Sequence, residues 1–171
     1  QVGDRRIEGS CHQYSPGVWS NDADQDYTLH FVIEFDRPIK QLGSWCDDDL
    51  RQQADGLSCG PCREAGLFAV FDPAENPVVQ VRTGISLVSV ENAAENLSTE
   101  LATPFGWDFE AVCANQRATW NDLFSRVQVR SDDYLEKQRF YNNMYRALCS
   151  RNTWSDVNGE WVSTDGRGRR G

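Results

Sequence analysis

The most reactive motif of the sequence is a pair of cysteines separated by glycine and proline, Ser58-Cys59-Gly60-Pro61-Cys62. Thiols at this spacing are typical of thiol–disulfide exchange proteins, in which a helix N-terminus lowers the pKa of the first thiol. Such a motif should follow a buried strand of a βαβ unit. Here it follows the polar segment 51–56. Thiol–disulfide exchange is therefore kept only as an alternative function.

Two further interpretations of the pair Cys59 and Cys62 remain. Tetrahedral zinc would need two more ligands, for which Cys11, His12 and Cys46 are the candidates, and a second CxxC pair is absent from the sequence. The simplest interpretation is a disulfide that pins a surface loop. It would join the two cysteines to each other, or one of them to Cys46 or Cys11, and sequence alone does not choose the pairing.

Cysteine usage also indicates the compartment. The sequence contains six cysteines, an even number, and four of them lie in its loop-rich first half. Cys113 and Cys149 fall on predicted helices, where buried thiols are common. Because such loops are often cross-linked in exported proteins, we predict a secreted, periplasmic or cell-surface location.

The other polar candidates do not form a catalytic arrangement. The sequence has two histidines, and His30 lies on the strand face opposite Phe31, where we expect it to face solvent. The segment Asp156–Gly159 resembles the start of a calcium loop, but position twelve of that loop would be Arg167 instead of Glu. We predict a turn there. Asn96-Leu97-Ser98 is a formal glycosylation sequon inside a predicted helix.

Composition excludes several classes of partner. The formal net charge is −9, from 17 Lys and Arg against 26 Asp and Glu, so nucleic acid is not an expected ligand. No apolar run approaches the roughly 20 residues of a membrane-spanning helix. Six Trp, eight Phe and five Tyr can build a packed core, and indole rings also stack on sugar faces.

The elements that must position these residues change character halfway along the chain. In residues 1–88, apolar side chains occupy every second position over 28–36 and again over 79–87, and 67–71 is a short apolar run. Such alternation is typical of antiparallel sheets with one covered face. We therefore predict a β-sandwich in this half.

Helical periodicity begins after Ser89, which is predicted to cap the first helix. That helix should pack through Ala93, Ala94, Leu97 and Leu101.

Thr103–Gly106 is expected to end this first helix. A second helix is predicted from about 108 to 124, a short strand over 126–130, and a third helix over 132–149. Asn158-Gly159 is a hairpin signal. Strands followed by helices indicate the α+β class.

Five motifs over residues 84–166 occur in one order and resemble the motifs of glycoside hydrolase family 92. They are Gly84–Leu97, Trp107–Glu110, Trp120–Leu123, Arg139–Arg146 and Asp156–Trp161. The first resembles the family's strand ending in Gly-Ile-Ser before a helix with a Glu-x-Ala-x-x-Asn-Leu core. The sequence departs from the family at Asn142, where Thr is usual, and at Trp161, where Tyr is usual.

This resemblance implies an internal piece of a longer protein. Residues 1–88 would be the C-terminal part of the N-terminal β-sandwich, 89–131 helical linkers, and 132–171 the truncated start of an (α/α)6 catalytic barrel. The third helix should then show an incompletely covered apolar face at Phe140, Met144 and Leu148.

Members of the family are calcium-dependent, inverting exo-α-mannosidases, so the resemblance implies hydrolysis of terminal, α-1,2-type mannose from glycans such as N-glycans or mannans. Inversion needs a general acid and a general base roughly 6.5–9.5 Å apart. In the family these groups and the calcium ligands lie beyond residue 171, so no catalytic or metal residue is assigned here, and the piece alone is expected to be inactive. The alternatives are a carbohydrate-binding sandwich without catalysis and the thiol–disulfide protein considered above.

Overall fold

The structure, a computed structural model, describes residues 3–16, 24–52, 64–74, 77–149, 153–163 and 168–170. The Cys59–Cys62 motif lies outside these residues, so the predicted loop disulfide stays a prediction.

Strands form the first half of the chain and helices most of the second. The strands are β1 (Arg6–Ser15), β2 (Gln25–Phe35), β3 (Gln41–Cys46), β4 (Asp49–Arg51), β5 (Ala65–Val70) and β6 (Val81–Ser86). The helices are α1 (Val90–Leu97), α2 (Thr103–Phe105), α3 (Phe109–Ser125) and α4 (Tyr134–Cys149), with a π-helical turn over Ser98–Ala102. Strands β7 (Glu160–Val162) and β8 (Gly168–Arg170) follow. The strands predicted over 28–36, 67–71 and 79–87 and the three predicted helices are present, with ends shifted by a few residues.

Two antiparallel sheets form the sandwich. One has the order β1-β2-β6 and the other β4-β3-β5. Between them, Ile7, Ile39 and Leu42 are buried, and Phe31, Phe35, Leu67, Ala69 and Phe71 pack against these three. The alternation in β2 therefore places Phe31 and Phe35 in the core between the sheets, as predicted.

The opposite face of the β1-β2-β6 sheet is covered by α1. Val32 and Ala93 are fully buried and Leu97 is nearly so, with Ala94 and Leu101 packed around them. The inner face predicted for this helix is thus confirmed. Because α1 covers this side of β2, the expectation that His30 faces solvent is wrong: His30 is half-buried and its Nδ1 is buried.

Helix α1 begins where predicted, since the Ser89 hydroxyl accepts the backbone N–H of Asn92 at 3.0 Å. The helical run ends within the predicted segment Thr103–Gly106. After Leu97 the chain continues through the π-helical turn and α2, and helical geometry stops at Gly106, whose φ is +56°. That left-handed conformation favours glycine, so Gly106 is the residue that breaks the helical run.

Helices α3 and α4 contact each other through aromatic rings. The ring centroids of Trp120 and Tyr145 lie 4.8 Å apart, and those of Phe124 and Tyr141 lie 5.9 Å apart. Among the described residues, neither helix has a buried side chain. Of the face expected to be uncovered on α4, Phe140 is exposed, whereas Met144 and Leu148 are half-buried.

The short strand predicted over 126–130 is wrong. These residues are irregular, and in the described part of the chain no strand pairs with them. The segment instead turns between α3 and α4, where the Tyr141 hydroxyl donates to the Val127 carbonyl at 3.2 Å. Alternation alone does not make a strand when no neighbour supplies the hydrogen bonds.

The predicted turn at Asn158-Gly159 is present. The N–H of Gly159 donates to the Asp156 carbonyl at 2.9 Å, and Gly159 adopts a φ of +83°. The turn leads into β7, which pairs with β8, so it precedes the hairpin instead of connecting its two strands. No helix within the described ranges is long and apolar enough to cross a membrane.

Gly84 allows β6 and α1 to approach closely, and its replacement tests this packing. A Cβ at position 84 would lie 2.2 Å from the backbone oxygen of Ala93 and 2.7 Å from the Leu97 Cβ. We expect Gly84→Ala to lower the free energy of unfolding by about 1–3 kcal/mol, as overpacking does. Urea unfolding measures this. Gly9→Ala is the control, because the nearest atom to a Cβ there belongs to the side-chain ring of Phe31, at 3.1 Å, and not to the backbone. Equal losses in the two variants would contradict the expectation.

Candidate functional site: a polar junction between sandwich and helices

The consecutive elements β6 and α1 meet a segment 60 to 70 positions later in the chain at one group of polar side chains. Ser86 ends β6, Asn92 and Asn96 lie on α1, and Asp156 and Glu160 belong to the loop and strand after α4. We call these five residues the junction cluster. Ser86, Asn92 and Asn96 are buried, and Asp156 and Glu160 are half-buried.

Asp156 lies at the centre of the junction cluster. Its Oδ2 accepts from the Ser86 hydroxyl at 2.7 Å and from Asn92 Nδ2 at 2.8 Å. Its Oδ1 accepts from Asn96 Nδ2 at 2.7 Å. Hydrogen bonds to an ionised carboxylate are shorter and stronger than those between neutral groups. The carboxylate of Asp156 therefore holds the loop after α4 against both β6 and α1.

The two asparagine amides complete the hydrogen bonding. Asn92 Nδ2 also donates to Glu160 Oε2 at 3.0 Å. Asn96 Nδ2 also donates to the Ile85 carbonyl at 2.9 Å, while its Oδ1 accepts the N–H of Val157 at 2.9 Å. Each buried amide thus bonds the loop as well as its own surroundings, which removes the cost of burying it without partners.

The outer side of the loop is fixed as well. Asn158 Nδ2 donates to Glu95 Oε2 at 3.1 Å, and its Oδ1 accepts the N–H of Glu160 at 2.9 Å. The N–H of Asp156 donates to the carbonyl of Glu160 at 2.8 Å. The loop is therefore bonded internally and to α1 from two sides.

A second contact joins the sandwich to the helices at Arg82 on β6. Its guanidinium pairs with Glu34 of β2 at 2.7 Å and donates to the Gly106 carbonyl at 3.1 Å. The same group lies 4.1 Å from the centroid of the Trp107 ring, a cation–π distance. Arg82 thus fixes the turn between α2 and α3 to the edge of the sheet.

Glu91 is the acidic residue of the first turn of α1, beside the junction cluster. A hydrogen bond from its own backbone N–H and one from the Ser89 hydroxyl hold the pKa of its carboxyl below its usual value, and the nearby His30 acts in the same direction. Glu91 is exposed. It therefore stays ionised at the positive end of the helix.

The junction cluster is built to position the chain. Both oxygens of Asp156 are already occupied by O–H and N–H donors. Across residues 3–16, 24–52, 64–74, 77–149 and 153–163, no three His, Cys, Asp or Glu side chains converge where a metal ion could bind. The described side chains therefore do not fit a calcium site, and Asp156–Gly159 acts as the predicted turn.

The cysteines named from sequence are dispersed. Cys11 is exposed on β1 with a free thiol, and Cys46 is half-buried on β3. Cys113 is half-buried and Cys149 is exposed, so the expectation that helical cysteines are buried is wrong for Cys149. Position 149 lies on a helix whose described side chains are not buried. A disulfide through Cys59 or Cys62 remains a prediction.

Sequence reasoning named the motifs that contain the junction cluster but missed the cluster itself. One signal was present: Asn92 and Asn96 are spaced i, i+4 beside the buried Ala93 and Leu97. Polar residues at that spacing next to a buried stripe need a partner from elsewhere in the fold. The amide nitrogen of Asn96 makes two hydrogen bonds and is buried in the folded chain, so the sequon there is not presented at the surface.

Replacing the central carboxylate tests this description. We expect Asp156→Asn to lower the free energy of unfolding by about 2 kcal/mol. One carboxylate oxygen would be replaced by an NH2 group, which would face the hydroxyl and amide donors that now bond to Asp156. Urea unfolding followed by tryptophan fluorescence measures the change. Asp122→Asn is the matched control, because Asp122 pairs with Arg126 on the surface and its side chain is 69% exposed. This change should lower the free energy of unfolding by less than about 0.5 kcal/mol. If Asp156→Asn lowers the free energy of unfolding no more than Asp122→Asn does, Asp156 is not the central contact of the junction cluster.

Comparison with known proteins covers both halves of the chain. Residues 1–86 match the N-terminal domain of glycosyl hydrolase family 92, and residues 92–170 match the catalytic domain of the same family. A search of curated proteins finds no match. The finer division into 1–88, 89–131 and 132–171 stays a prediction.

Solved structures of this family share the fold. The glycosyl hydrolase CcMan5 aligns with a TM-score of 0.79 at 25% identity, over 96% of this chain and 20% of that one. The inverting mannosidase BT2199 of Bacteroides thetaiotaomicron aligns with a TM-score of 0.76 at 24% identity, over 100% of this chain and 22% of that one. The α-mannosidase BT3965 of the same organism gives 0.73 at 17% identity, with coverages of 100% and 22%.

The chain therefore spans about a fifth of the length of these structures. Their agreement confirms the predicted α+β fold, with the end of a sandwich followed by the start of a helical region. The order of the five sequence motifs and the matches of both halves lead to one conclusion: this chain belongs to glycosyl hydrolase family 92.

Proposed function

We propose that the protein is an inverting, exo-acting α-mannosidase that releases terminal mannose from glycans such as N-glycans or mannans, with α-1,2-linked mannose as its substrate. The observation that carries the proposal is the match of both halves of the chain, in order, to two domains of one glycosidase family. Two structural neighbours that bear the names inverting mannosidase and α-mannosidase add support.

The part played by this chain in such an enzyme is positional. An inverting reaction requires an acid and a base held roughly 6.5–9.5 Å apart around the sugar and a water molecule. Errors of about 1 Å in such an arrangement are costly. Asp156 and Arg82 fix the sandwich to the start of the helical region through short hydrogen bonds. We therefore assign positioning to these residues and place the acid and the base on the rest of the protein.

Calcium is part of the proposal, with its ligands outside this chain. When bound there, it would supply a contact to sugar hydroxyls that helps to distort the ring. The chain's net charge of −9 suits a neutral glycan better than a polyanionic substrate. We also propose that the protein is exported, on the strength of its six cysteines.

The reaction is tested with the complete protein and α-1,2-mannobiose. We expect release of mannose, with the β-anomer formed first, because single displacement by water inverts the anomeric carbon. Proton NMR during the first minutes distinguishes the anomers before they equilibrate. A β-linked mannobiose is the control and should not be cleaved. First formation of the α-anomer would overturn inversion, and binding without hydrolysis would favour the carbohydrate-binding alternative.

The calcium requirement is tested separately. Chelation with EDTA should abolish hydrolysis, and added calcium should restore it more fully than added magnesium, since calcium tolerates the larger and more irregular oxygen shell of a sugar site. The initial rate of mannose release measures both steps. Full activity after exhaustive chelation would contradict the requirement while leaving the assignment as a mannosidase intact.

A further inference from the structure

An open cleft of about 520 Å³ lies beside the loop that carries Asp156, lined by Trp154, Ser155, Gly159 and Trp161. Along β7, Glu160 and Trp161 are neighbours, so their side chains point to opposite faces. Glu160 bonds to Asn92 in the junction cluster, and Trp161 therefore lies on the other side of the strand, in the cleft.

The indole of Trp154 is both exposed and held in place. Trp154 is 63% exposed, and its Nε1 donates to the carbonyl of Val162 at 3.2 Å. This bond satisfies the only polar atom of the side chain and restricts rotation of the ring. An aromatic ring that is fixed yet open to water provides an apolar platform without a large entropic cost on binding.

The backbone of the cleft is fixed as well. Gly159 turns the chain at a φ of +83°, and the N–H of Asp156 donates to the Glu160 carbonyl at 2.8 Å. The carboxylate of Asp156 bonds the same loop to α1 and β6. The two tryptophans thus lie on a segment whose backbone is preorganised by hydrogen bonds in the absence of ligand.

The lining indicates the chemistry of the ligand. Within 153–163, the described segment that lines the cleft, it contains two indoles, one hydroxyl and one glycine, and none of these lining side chains is ionisable. A phosphate or a carboxylate would therefore lose hydration in the cleft without gaining a charged partner from these four residues. A pyranose has apolar C–H faces and a hydroxylated rim, so it can stack on an indole while its edge stays in contact with water and with Ser155.

We propose that the Trp154–Trp161 cleft binds a pyranose residue of a mannose-containing glycan by stacking on the indole rings. The choice of glycan rests on the proposed function, whereas stacking of a neutral, amphipathic ring follows from the lining. Trp154 is the platform, and Ser155 contributes a hydrogen-bonding hydroxyl at the rim.

The test uses the complete protein in EDTA, so that hydrolysis is stopped, and α-1,2-mannobiose as the probe in a calorimetric titration. We expect saturable binding to the wild type, and a dissociation constant about tenfold higher for Trp154→Ala, the size of one aromatic contact. Trp154→Phe keeps a smaller ring and should fall between the two. Phe109→Ala is the matched control, because Phe109 is 67% exposed on α3 and should leave binding unchanged.

The outcomes separate this inference from the proposed function. No binding to the wild type in EDTA, or equal binding by Trp154→Ala and wild type, overturns the cleft as a glycan site, even if mannose is released when calcium is present. Binding that depends on Trp154 supports the cleft even if no mannoside is cleaved under any condition. Thermal unfolding of Trp154→Ala and Trp154→Phe identifies a variant that has lost its fold, and the other then decides.

Discussion

The carboxylate of Asp156 is the point on which the arrangement of this chain depends. It gathers donors from Ser86, Asn92 and Asn96, which come from a strand end and a helix. A charge that leaves water is tolerated in a protein only when hydrogen bonds replace its hydration. Here three hydrogen-bond donors replace the water around the carboxylate, and each of the three hydrogen bonds has a defined direction. The carboxylate therefore fixes the position of the loop with a geometry that apolar packing alone would not specify.

The neighbouring packing makes this arrangement possible. Gly84 lets α1 lie directly on the sheet, so that Asn92 and Asn96 come within reach of Ser86 and the loop. Val32, Ala93 and Leu97 bury the apolar stripe beside them. Apolar burial stabilises the contact in proportion to the buried area, but it does not fix the orientation of α1 on the sheet. The directional hydrogen bonds of the junction cluster do fix it. The two kinds of contact lie side by side on α1, on adjacent stripes of the same helix.

Local features of the sequence predicted much of this fold. The alternation in 28–36 and the cap at Ser89 depend on near neighbours, and both were correct. The strand at 126–130 and the exposure of His30 were wrong because each depends on what packs against that segment. The junction cluster joins residues about 60 to 70 positions apart, and no local pattern encodes such a distance. The family motifs contain all five residues of the junction cluster, but they do not indicate that these residues are in contact.

The long separation within the junction cluster has a consequence for how the chain is assembled. Asn96 and Asp156 are 60 positions apart, so a growing chain completes β6 and α1 well before the carboxylate exists. Closing so long a loop costs conformational entropy that only the final contacts repay. Until then the hydrogen bonds that Asn92 and Asn96 later make to Asp156 are made to water. Being polar, these amides also gain less than a leucine would from contact with an apolar segment. Amide side chains at these positions are thus compatible with water before the Asp156 segment is synthesised and with its carboxylate afterwards.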